Sequence, residues 1–470
     1  MPLSESPISA PPALPEKRAV ASLSLLYAFR MLGLFMVLPV LSLYGEDYSD
    51  SNAMLLGLAL GVYGFSQACL QIPFGMLSDK IGRKPVIAMG LIIFALGSLI
   101  AAQADSIYEL ILGRFLQGGG AIASAIMALV SDLTSEESRT KAMASIGVSI
   151  GLSFSLALVI GPLLASVGGL SLIFSVTALL ALFGLFVLWR WVPTPPPKQH
   201  THRESGAVPE LFWKTLKNPE LLRLNFGIFT LHACLMASFL VLPQVLESNL
   251  GIARSQHWTV YLPVLLLAFV VMLPFIIVAE KKRRIKPVFV GAVALLMLML
   301  AAQGLSLHSR VWMLLALFLF FVAFNLLEAT LPSLVSKVAP AGSKGTAMGV
   351  YSSSQFLGAF CGGVLGGWVL QNYGVSSVYY LCATLALLWL LAAWAMQPPR
   401  FLTGVFVSLQ DCDLAQVSAQ LRSLPGVFEL VMIPQEQAAY LKVDSRQFDR
   451  SKVTTIVAAS TIAPLSIVPL

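Results

Sequence analysis

Residues 75 to 86 read GMLSDKIGRKPV, a stretch that places four charges and two glycines between two long apolar runs. Of the 470 residues, 57% are hydrophobic and 11% are charged, whereas a soluble domain carries about 25% charged residues. Apolar runs recur up to residue 396, and a helix that crosses a bilayer needs about 20 of them. Because backbone in lipid must satisfy its own hydrogen bonds, these runs predict an all-α membrane core.

The apolar runs predict twelve transmembrane helices, called spans 1 to 12 below. They cover residues 20–43, 54–74, 86–104, 108–131, 143–166, 170–191, 221–245, 259–279, 287–305, 311–336, 346–370 and 375–396. The quoted stretch therefore connects span 2 to span 3.

The connections between spans differ in charge on the two sides of the membrane. Those on the side of the N-terminus are rich in lysine and arginine: Lys80, Arg83, Lys84, Arg139, Lys141, Lys198, Arg203, Lys214, Lys217, residues 280–286 (EKKRRIK), Lys337 and Lys344. The other side carries little more than Arg254 and Arg310. The positive-inside rule predicts that the basic end faces the cytoplasm and that both termini are cytoplasmic. This bias also explains the net charge of +7, so no nucleic-acid partner is expected.

The chain divides into five predicted segments. They are a disordered cytoplasmic N-terminus (1–19), a first half of six spans (20–192), a Pro-rich cytoplasmic linker (193–220), a second half of six spans (221–397) and a cytoplasmic domain (400–470). ALVSDLTSEESRTKAM at 128–143 aligns with SLVSKVAPAGSKGTAM at 333–348, which indicates a six-plus-six repeat. Such repeats are typical of transporters that bind substrate between their halves. In the last segment, alternating apolar residues predict the order βαββα, with a possible last edge strand, as in a small ferredoxin-like α/β domain.

Three motifs carry a resemblance to a known family. The stretch Gly75-x-Leu77-x-Asp79-Lys80-x-Gly82-Arg83-Lys84 resembles the signature loop of the major facilitator superfamily. LGRFLQGGGA at 112–121 resembles its span-4 arginine motif, with Arg114 as the arginine, and IGPLL at 160–164 resembles the span-5 motif of drug/proton antiporters, with Gly161 and Pro162 matching. Ala157 replaces an earlier glycine of that motif, and Ala165-Ser166 replaces its trailing Gly-Gly. With the C-terminal domain, the chain resembles the YajR-type branch of this superfamily.

The signature loop is interpreted as a conformational latch. Gly75 permits close approach of a neighbouring helix, and Gly82 permits a tight turn. The carboxylate of Asp79 is expected to face the N-terminus of span 11, whose free N–H groups favour negative charge. Arg83 and Asp132 are competing partners in this hypothesis, and the resemblance implies the same role. The alternative is a solvated basic loop.

Ionisable residues inside spans are costly and are therefore functional candidates. There are four: Arg30, Arg114, His232 and Glu328. Glu328 is the only deeply placed carboxylate, and a carboxyl group that moves between a dry and a wet cavity can take up and release a proton. His232 titrates near neutrality and could share that role. Alternatively, backbone carbonyls clamp Arg30, and His232 is a satisfied core residue.

No metal or cofactor is expected. The five cysteines contain no CxxC pair, which argues against a disulfide framework or a metal cluster. The C-terminal domain resembles the heavy-metal-associated fold, but it offers only Cys412 where that site needs two thiolates. A regulatory or docking module with an unknown ligand is the better interpretation.

The sequence therefore predicts a proton-coupled transporter of a bacterial inner membrane that exports a small amphipathic compound by alternating access. Its partners would be that substrate, protons and the lipid bilayer. Anion uptake is an alternative because two arginines lie within the spans, and a membrane receptor that signals through the C-terminal domain is another. Because no nucleophile–base arrangement and no G-x-x-x-x-G-K-[ST] loop occurs, neither an enzyme nor an ATP-driven pump is expected.

Overall fold

The computed structural model describes residues 13–134, 136–194, 213, 215–398, 402–409, 414–433, 437–444 and 446–459. Its first helix begins at Ala13, so the prediction of disorder over residues 1–19 is wrong from that residue on. Pro15 and Glu16 lie in the first turn, where a missing N–H and a negative charge suit a helix N-terminus. Residues 1–12 and nearly all of the linker lie outside the described residues.

Helices follow the predicted spans in order. They are Ala13–Phe35 for span 1, Ala53–Ile81 for span 2, Arg83–Ala102 for span 3, Ile107–Gly119 and Ala123–Leu133 for span 4, Glu136–Arg190 for spans 5 and 6, Pro219–Gln244 for span 7, Trp258–Lys281 for span 8, Ile285–Leu305 for span 9, Arg310–Val338 for span 10, Lys344–Tyr373 for span 11 and Val375–Trp394 for span 12. Short helices at Leu41–Tyr44 and Gly45–Asp47 follow span 1.

Spans 5 and 6 follow each other directly, with only two non-helical glycines between them. Gly168 has φ −143° and Gly169 has φ +62°, so the chain reverses there. Within the described part of the chain, eleven helical runs are long and apolar enough to cross a membrane, and one of them covers 50 residues. At about 1.5 Å per residue, that run is long enough for two crossings. Twelve spans result.

Span 2 is longer than the sequence predicts, and this places the charged stretch inside a helix. The helix continues from the apolar run through Asp79 to Ile81. Gly82 then turns the chain with φ +99°, a region that favours glycine. Arg83 is already the first residue of span 3. The prediction of an open loop from residue 75 to residue 85 is therefore wrong, because only Gly82 interrupts the two helices.

Span 4 is broken, whereas the sequence analysis predicts one helix. The first helix ends at Gly119 and the second begins at Ala123. Gly120 and Ile122 lie in the break, and the Ile122 amide donates to the Gly120 carbonyl over 2.8 Å. The three glycines at 118–120 weaken the helix here because glycine loses the most backbone freedom on ordering. The break leaves backbone groups in the membrane interior that need other partners.

The two halves are joined at the end opposite the basic connections. One hydrophobic core contains residues of both halves, and its members from the first half come from the opposite end, such as Met36, Leu56 and Ile107. The basic end of the first half has a separate core, which includes Leu23, Val86 and Ile146. The space between the halves is therefore closed at the opposite end and opens toward the basic end.

Small residues allow spans 2 and 11 to touch along the closed part of this interface. A Cβ on Gly61 would come within 2.7 Å of the Phe360 carbonyl oxygen. Gly64 lies against Phe356, and the Ser353 hydroxyl donates to the Ala68 carbonyl over 3.4 Å. The helices run antiparallel in a register set by these pairs.

The C-terminal domain has the predicted element order βαββα. The strands are β1 (Thr403–Ser408), β2 (Val427–Ile433) and β3 (Ala438–Val443), and the helices are Leu414–Ser423 and Arg450–Ala459. The strands form one antiparallel sheet in the order β1-β3-β2. A last edge strand would fall in residues 460–470, outside the described residues. The six-plus-six repeat and the ferredoxin-like topology stay predictions.

Gly61→Val is expected to open the interface between the halves at the opposite end. The added side chain cannot fit against the Phe360 carbonyl, and overpacking costs about 1–3 kcal/mol. Spin labels at Gln103 and Arg310 should report longer distances across that end. Gly291→Val is the matched control, because a Cβ at Gly291 meets no atom within 4 Å. Equal distances in both variants would contradict the assignment of this contact.

Candidate functional site

Arg83 ties three elements together at the basic end. Its Nη2 lies 2.5 Å from Asp79 Oδ1, its Nε donates to Asp132 Oδ2 over 3.1 Å, and its Nη1 donates to Ser78 Oγ over 2.6 Å. Arg83 is 5% exposed, whereas the Asp79 side chain is 35% exposed. Arg83 thus neutralises the carboxylates that end span 2 and span 4, and both competing partners named by the latch hypothesis are engaged.

Asp79 does not meet span 11 in this conformation. One turn earlier, a Cβ on Gly75 would find only Ser124 of span 4 within 4 Å, so spans 2 and 11 have separated before this point. Continuing the register of the closed interface would place Gly75 opposite Thr346 and Asp79 opposite Gly342, immediately before span 11 begins at Lys344. The latch contact stays a prediction, for a conformation in which the basic end is closed.

Arg30 is buried in a polar cluster at the break of span 4. Its Nη2 donates to the Tyr63 hydroxyl over 2.9 Å, to Gln67 Oε1 over 2.6 Å and to the Gly120 carbonyl over 3.0 Å. Its Nε and Nη1 are buried and have no hydrogen-bond partner, and the residue is 1% exposed. A carbonyl clamp on Arg30 was one of the two alternatives, and the broken helix supplies one such carbonyl.

Arg114 lies on the other side of Tyr63. Its Nε donates to the Ala59 carbonyl over 3.2 Å and its Nη1 donates to Gln117 Oε1 over 2.8 Å. Its guanidinium carbon lies 5.3 Å from the centre of the Tyr63 ring, a cation–π distance. Among the described residues, no carboxylate lies within ion-pair distance of Arg114 or Arg30. Tyr63 therefore connects two buried cations.

The second half places His232, Glu328 and Gln355 side by side. Gln355 Nε2 lies 2.8 Å from His232 Nε2 and 3.4 Å from Glu328 Oε1, and His232 Nε2 lies 3.9 Å from Glu328 Oε2. Three nearby polar atoms are buried without a partner: His232 Nδ1, Glu328 Oε2 and the Tyr351 hydroxyl. The Glu328 side chain is 39% exposed as a whole although its Oε2 is buried, so this residue is partly accessible while the two arginines are not.

This cluster lies beside the interface between the halves. Phe356 follows Gln355 in the chain, and its ring lies 6.3 Å from the ring of Tyr63 in the first half. An aromatic contact thus connects Tyr63 of the first polar cluster to the residue next to Gln355. Sequence reasoning found Arg30, His232 and Glu328 but missed Tyr63, Gln67 and Gln355, because uncharged polar residues are too common in spans to stand out.

An aromatic cluster joins the halves next to the polar residues. The Phe154 ring lies 6.4 Å from the rings of Phe239 and Phe321. Phe321 packs on Phe324 at 6.3 Å, and Phe324 lies 6.1 Å from the His232 ring. Phe154 belongs to the first half and the other rings to the second. Their edge-to-face and tilted arrangements are favourable for aromatic pairs. Apolar groups therefore adjoin the one accessible carboxylate of the cluster.

Gly161 and Pro162 lie where span 5 meets the turn after span 1. Gly161 packs against the backbone of Met36, so a side chain at this position would separate span 5 from the turn. Pro162 lies inside the helix without ending it. Gly161 therefore makes a packing contact in this structure, whereas a packing role of Pro162 stays a prediction.

Potential metal ligands are not clustered. Among the described residues, no group of three or more His, Cys, Asp or Glu side chains could hold a metal ion. Cys234 and Cys382 are neighbours between spans 7 and 12, where the Cys234 thiol lies 3.5 Å from the Cys382 carbonyl. Cys412 lies outside the described residues.

The geometry can now be compared with known proteins. Residues 23–363 match the family model of the Major Facilitator Superfamily. The chain belongs to this superfamily of transporters. Residues 410–459 match the YajR YAM domain. Inner membrane transport protein YajR of Escherichia coli K12 is 47% identical over 444 residues, which cover 93% of this chain and 96% of that protein. The YajR-type assignment is therefore confirmed.

Two further comparisons give the fold and a more distant relative. A bacterial homolog of the human lysosomal transporter Spinster, solved in an inward-facing and unoccupied conformation, aligns with a TM-score of 0.68 at 15% identity and covers 83% of this chain and 98% of that one. Multidrug resistance protein MdtH of Aeromonas salmonicida is 28% identical over 73% of this chain and 85% of its own. The chain is a membrane transporter, and none of these comparisons supports the receptor alternative.

Arg30→Met is expected to destabilise the transporter. The change removes the hydrogen bonds from the guanidinium to Gln67 Oε1 and to the Gly120 carbonyl, which keep only the Tyr63 hydroxyl and the Ile122 amide as donors. A hydrogen bond that involves a charged group contributes about 1.5–3 kcal/mol. Thermal unfolding in detergent should show a clear decrease in midpoint. Arg310→Met, at an exposed arginine of the opposite end, is the control. A midpoint as high as that of the control would mean that the arginine is not needed to hold the break of span 4.

Proposed function

We propose that this transporter couples the export of a small amphipathic compound to the entry of protons by alternating access. The observation that carries the proposal is Glu328: a carboxylate inside a span, partly accessible, with one oxygen that lacks a partner, beside His232 and the interface between the halves. Ionisable groups in such positions are functional by default, since the membrane interior penalises their charge.

Glu328 is the proposed proton carrier. In the conformation described, the space between the halves opens toward the basic end, so the carboxylate can exchange its proton on that side. Gln355 contacts both Glu328 and His232, and it can donate to a carboxylate or to a neutral imidazole. Closure of the basic end and opening of the opposite end would expose the same group to the other side of the membrane.

The surroundings of Glu328 favour an amphipathic substrate over an anion. Arg30 and Arg114 are 1% and 0% exposed, so their positive charges are closed off from the space between the halves. The groups around the partly accessible carboxylate are the buried Tyr351 hydroxyl and the aromatic cluster around Phe324. These groups suit a compound with an apolar ring system and polar or positively charged atoms.

The stretch around Asp79 is the proposed latch of the basic end. When the halves close there, the register of spans 2 and 11 brings Asp79 to the N-terminus of span 11, where unpaired N–H groups attract a negative charge. Arg83, which also binds Asp132, holds the Asp79 carboxylate in place while the end is open. This role requires the basic end to face the cytoplasm of a bacterial inner membrane, as the charge bias predicts.

Glu328→Gln is expected to abolish proton-coupled flux while the protein stays folded, because glutamine matches the shape of the carboxyl group and cannot carry the proton. The measurement uses proteoliposomes with a pH-sensitive dye inside and a panel of aromatic amphipathic compounds. Glu109→Gln, which alters an exposed carboxylate of a capping box at the opposite end, is the control and should keep its flux. If Glu328→Gln transports at the rate of the control when a pH gradient is applied, Glu328 is not the essential proton carrier.

Asp79→Asn is expected to shift the resting population toward the conformation that is open at the basic end. A charge at a helix end contributes about 0.3–1 kcal/mol, which corresponds to a change of roughly two- to fivefold in the equilibrium. Spin labels at Arg190 and Lys282, one on each half, should report this change as more of the longer distance. Lys80→Gln removes a neighbouring exposed charge and serves as the control. Identical distance distributions in the native protein and Asp79→Asn would leave only the solvated-loop alternative.

A further inference from the structure

The sheet of the C-terminal domain has two covered faces. One face packs on the two helices of the domain through residues such as Val407, Val417 and Leu441. The other face contributes Ile433, Ala438 and Tyr440, which pack with Ala341 of the connection between spans 10 and 11. The domain is therefore docked on the transporter by the face of its sheet that its own helices leave free.

The docked face covers the residues that lead into span 11. The Tyr440 ring lies over Gly342, at 3.4 Å from the position of a Cβ on that glycine. Gly342 has φ +72°, a backbone conformation that other residues rarely adopt, so both its conformation and its lack of a side chain suit this contact. Ser343 and Lys344 follow directly, and Lys344 begins span 11.

A second contact fixes the end of span 10. The Lys442 ammonium of β3 donates to the Lys337 carbonyl over 2.7 Å. Lys337 lies in the last turn of span 10, where carbonyl groups lack helical partners and a cation is favourable. The Lys337 ammonium in turn binds Glu280 at the end of span 8 over 2.7 Å. Docking thus reaches two spans of the second half in addition to span 11.

We propose that Tyr440 and Lys442 are positioning residues of the transport cycle: by holding residues 337–342, the C-terminal domain sets the N-terminus of span 11 in place for the Asp79 carboxylate. This inference rests on the latch described under the proposed function. The register of spans 2 and 11 brings Asp79 opposite Gly342, which is the glycine under the Tyr440 ring. The docked domain therefore contacts the residues that Asp79 would approach when the basic end closes. Docking therefore stabilises closure of the basic end.

The test is Lys442→Met in the full-length chain, with spin labels at Arg190 and Lys282. Methionine keeps the apolar stem and loses the ammonium that holds the Lys337 carbonyl. The ratio of the closed to the open basic end should fall roughly two- to fivefold, the size expected for a charge at a helix end. Lys442→Arg should restore the ratio, because a guanidinium can also donate to this carbonyl. Lys452→Met, at an exposed lysine of the last helix, should leave the ratio unchanged.

A double variant tests whether the domain acts through Asp79. In an Asp79→Asn background, Lys442→Met should cause no further shift, because the carboxylate that would bind the N-terminus of span 11 is already absent. An equal shift in both backgrounds would overturn the inference, as would a shift toward the closed basic end. Unchanged thermal unfolding of Lys442→Met would show that the domain is still folded when the ratio is measured.

The two proposals fail in different ways. If Asp79→Asn alone leaves the distances unchanged, the latch itself is wrong, and the positioning role is overturned with it. If Asp79→Asn shifts the distances and Lys442→Met behaves like Lys452→Met, the latch stands and only the role of the domain is overturned. Proton-coupled flux through Glu328 is measured separately and does not enter this comparison.

Discussion

The close contact between spans 2 and 11 determines which way this structure faces. Gly61 and Gly64 let the backbones approach over the part of the interface nearest the opposite end, and the shared core builds on that contact. Larger side chains at these positions would push the helices apart, so closure of the opposite end depends on the fit of small residues. It fixes where the space between the halves opens, which side Glu328 meets, and how far Asp79 stands from the end of span 11.

Two buried guanidinium groups without a carboxylate partner would be expected to destabilise a membrane protein. The break of span 4 relieves part of that cost, because it releases the Gly120 carbonyl to Arg30. Amide and hydroxyl oxygens of Gln67, Tyr63 and Gln117 accept further hydrogen bonds. The first half is thus organised around positive charge closed off from the cavity, while the second half presents an accessible carboxylate. The proposed proton coupling is for this reason placed in the second half.

The sequence predicted the number of spans and the order of strands and helices in the C-terminal domain. Both predictions rest on local signals, which are the length of apolar runs and the alternation of apolar residues. It did not predict the break of span 4, because the average hydropathy of this segment is high despite its three glycines. The bond from Arg30 to the Gly120 carbonyl, which helps to stabilise the break, joins residues that are 90 positions apart. Likewise, span 2 continues past its apolar part because Asp79 and Arg83 pair on adjoining helix ends. The latch residues were named from a local motif, whereas Tyr440 and Gly342 lie about a hundred residues apart and no local pattern relates them.

The two ends of the transporter are closed by interactions of different physical kinds. The opposite end relies mainly on packing of glycines and aromatic rings, whose strength depends on shape and does not change with charge. In the proposed latch, closure of the basic end relies on a carboxylate at a helix terminus, which contributes about 1 kcal/mol and for which Arg83 competes. A contact of that strength changes the equilibrium between the conformations only severalfold, so nearby events can adjust it. If the latch operates as proposed, the basic end is the gate that a docked domain can regulate, because the C-terminal domain packs on the residues that precede span 11.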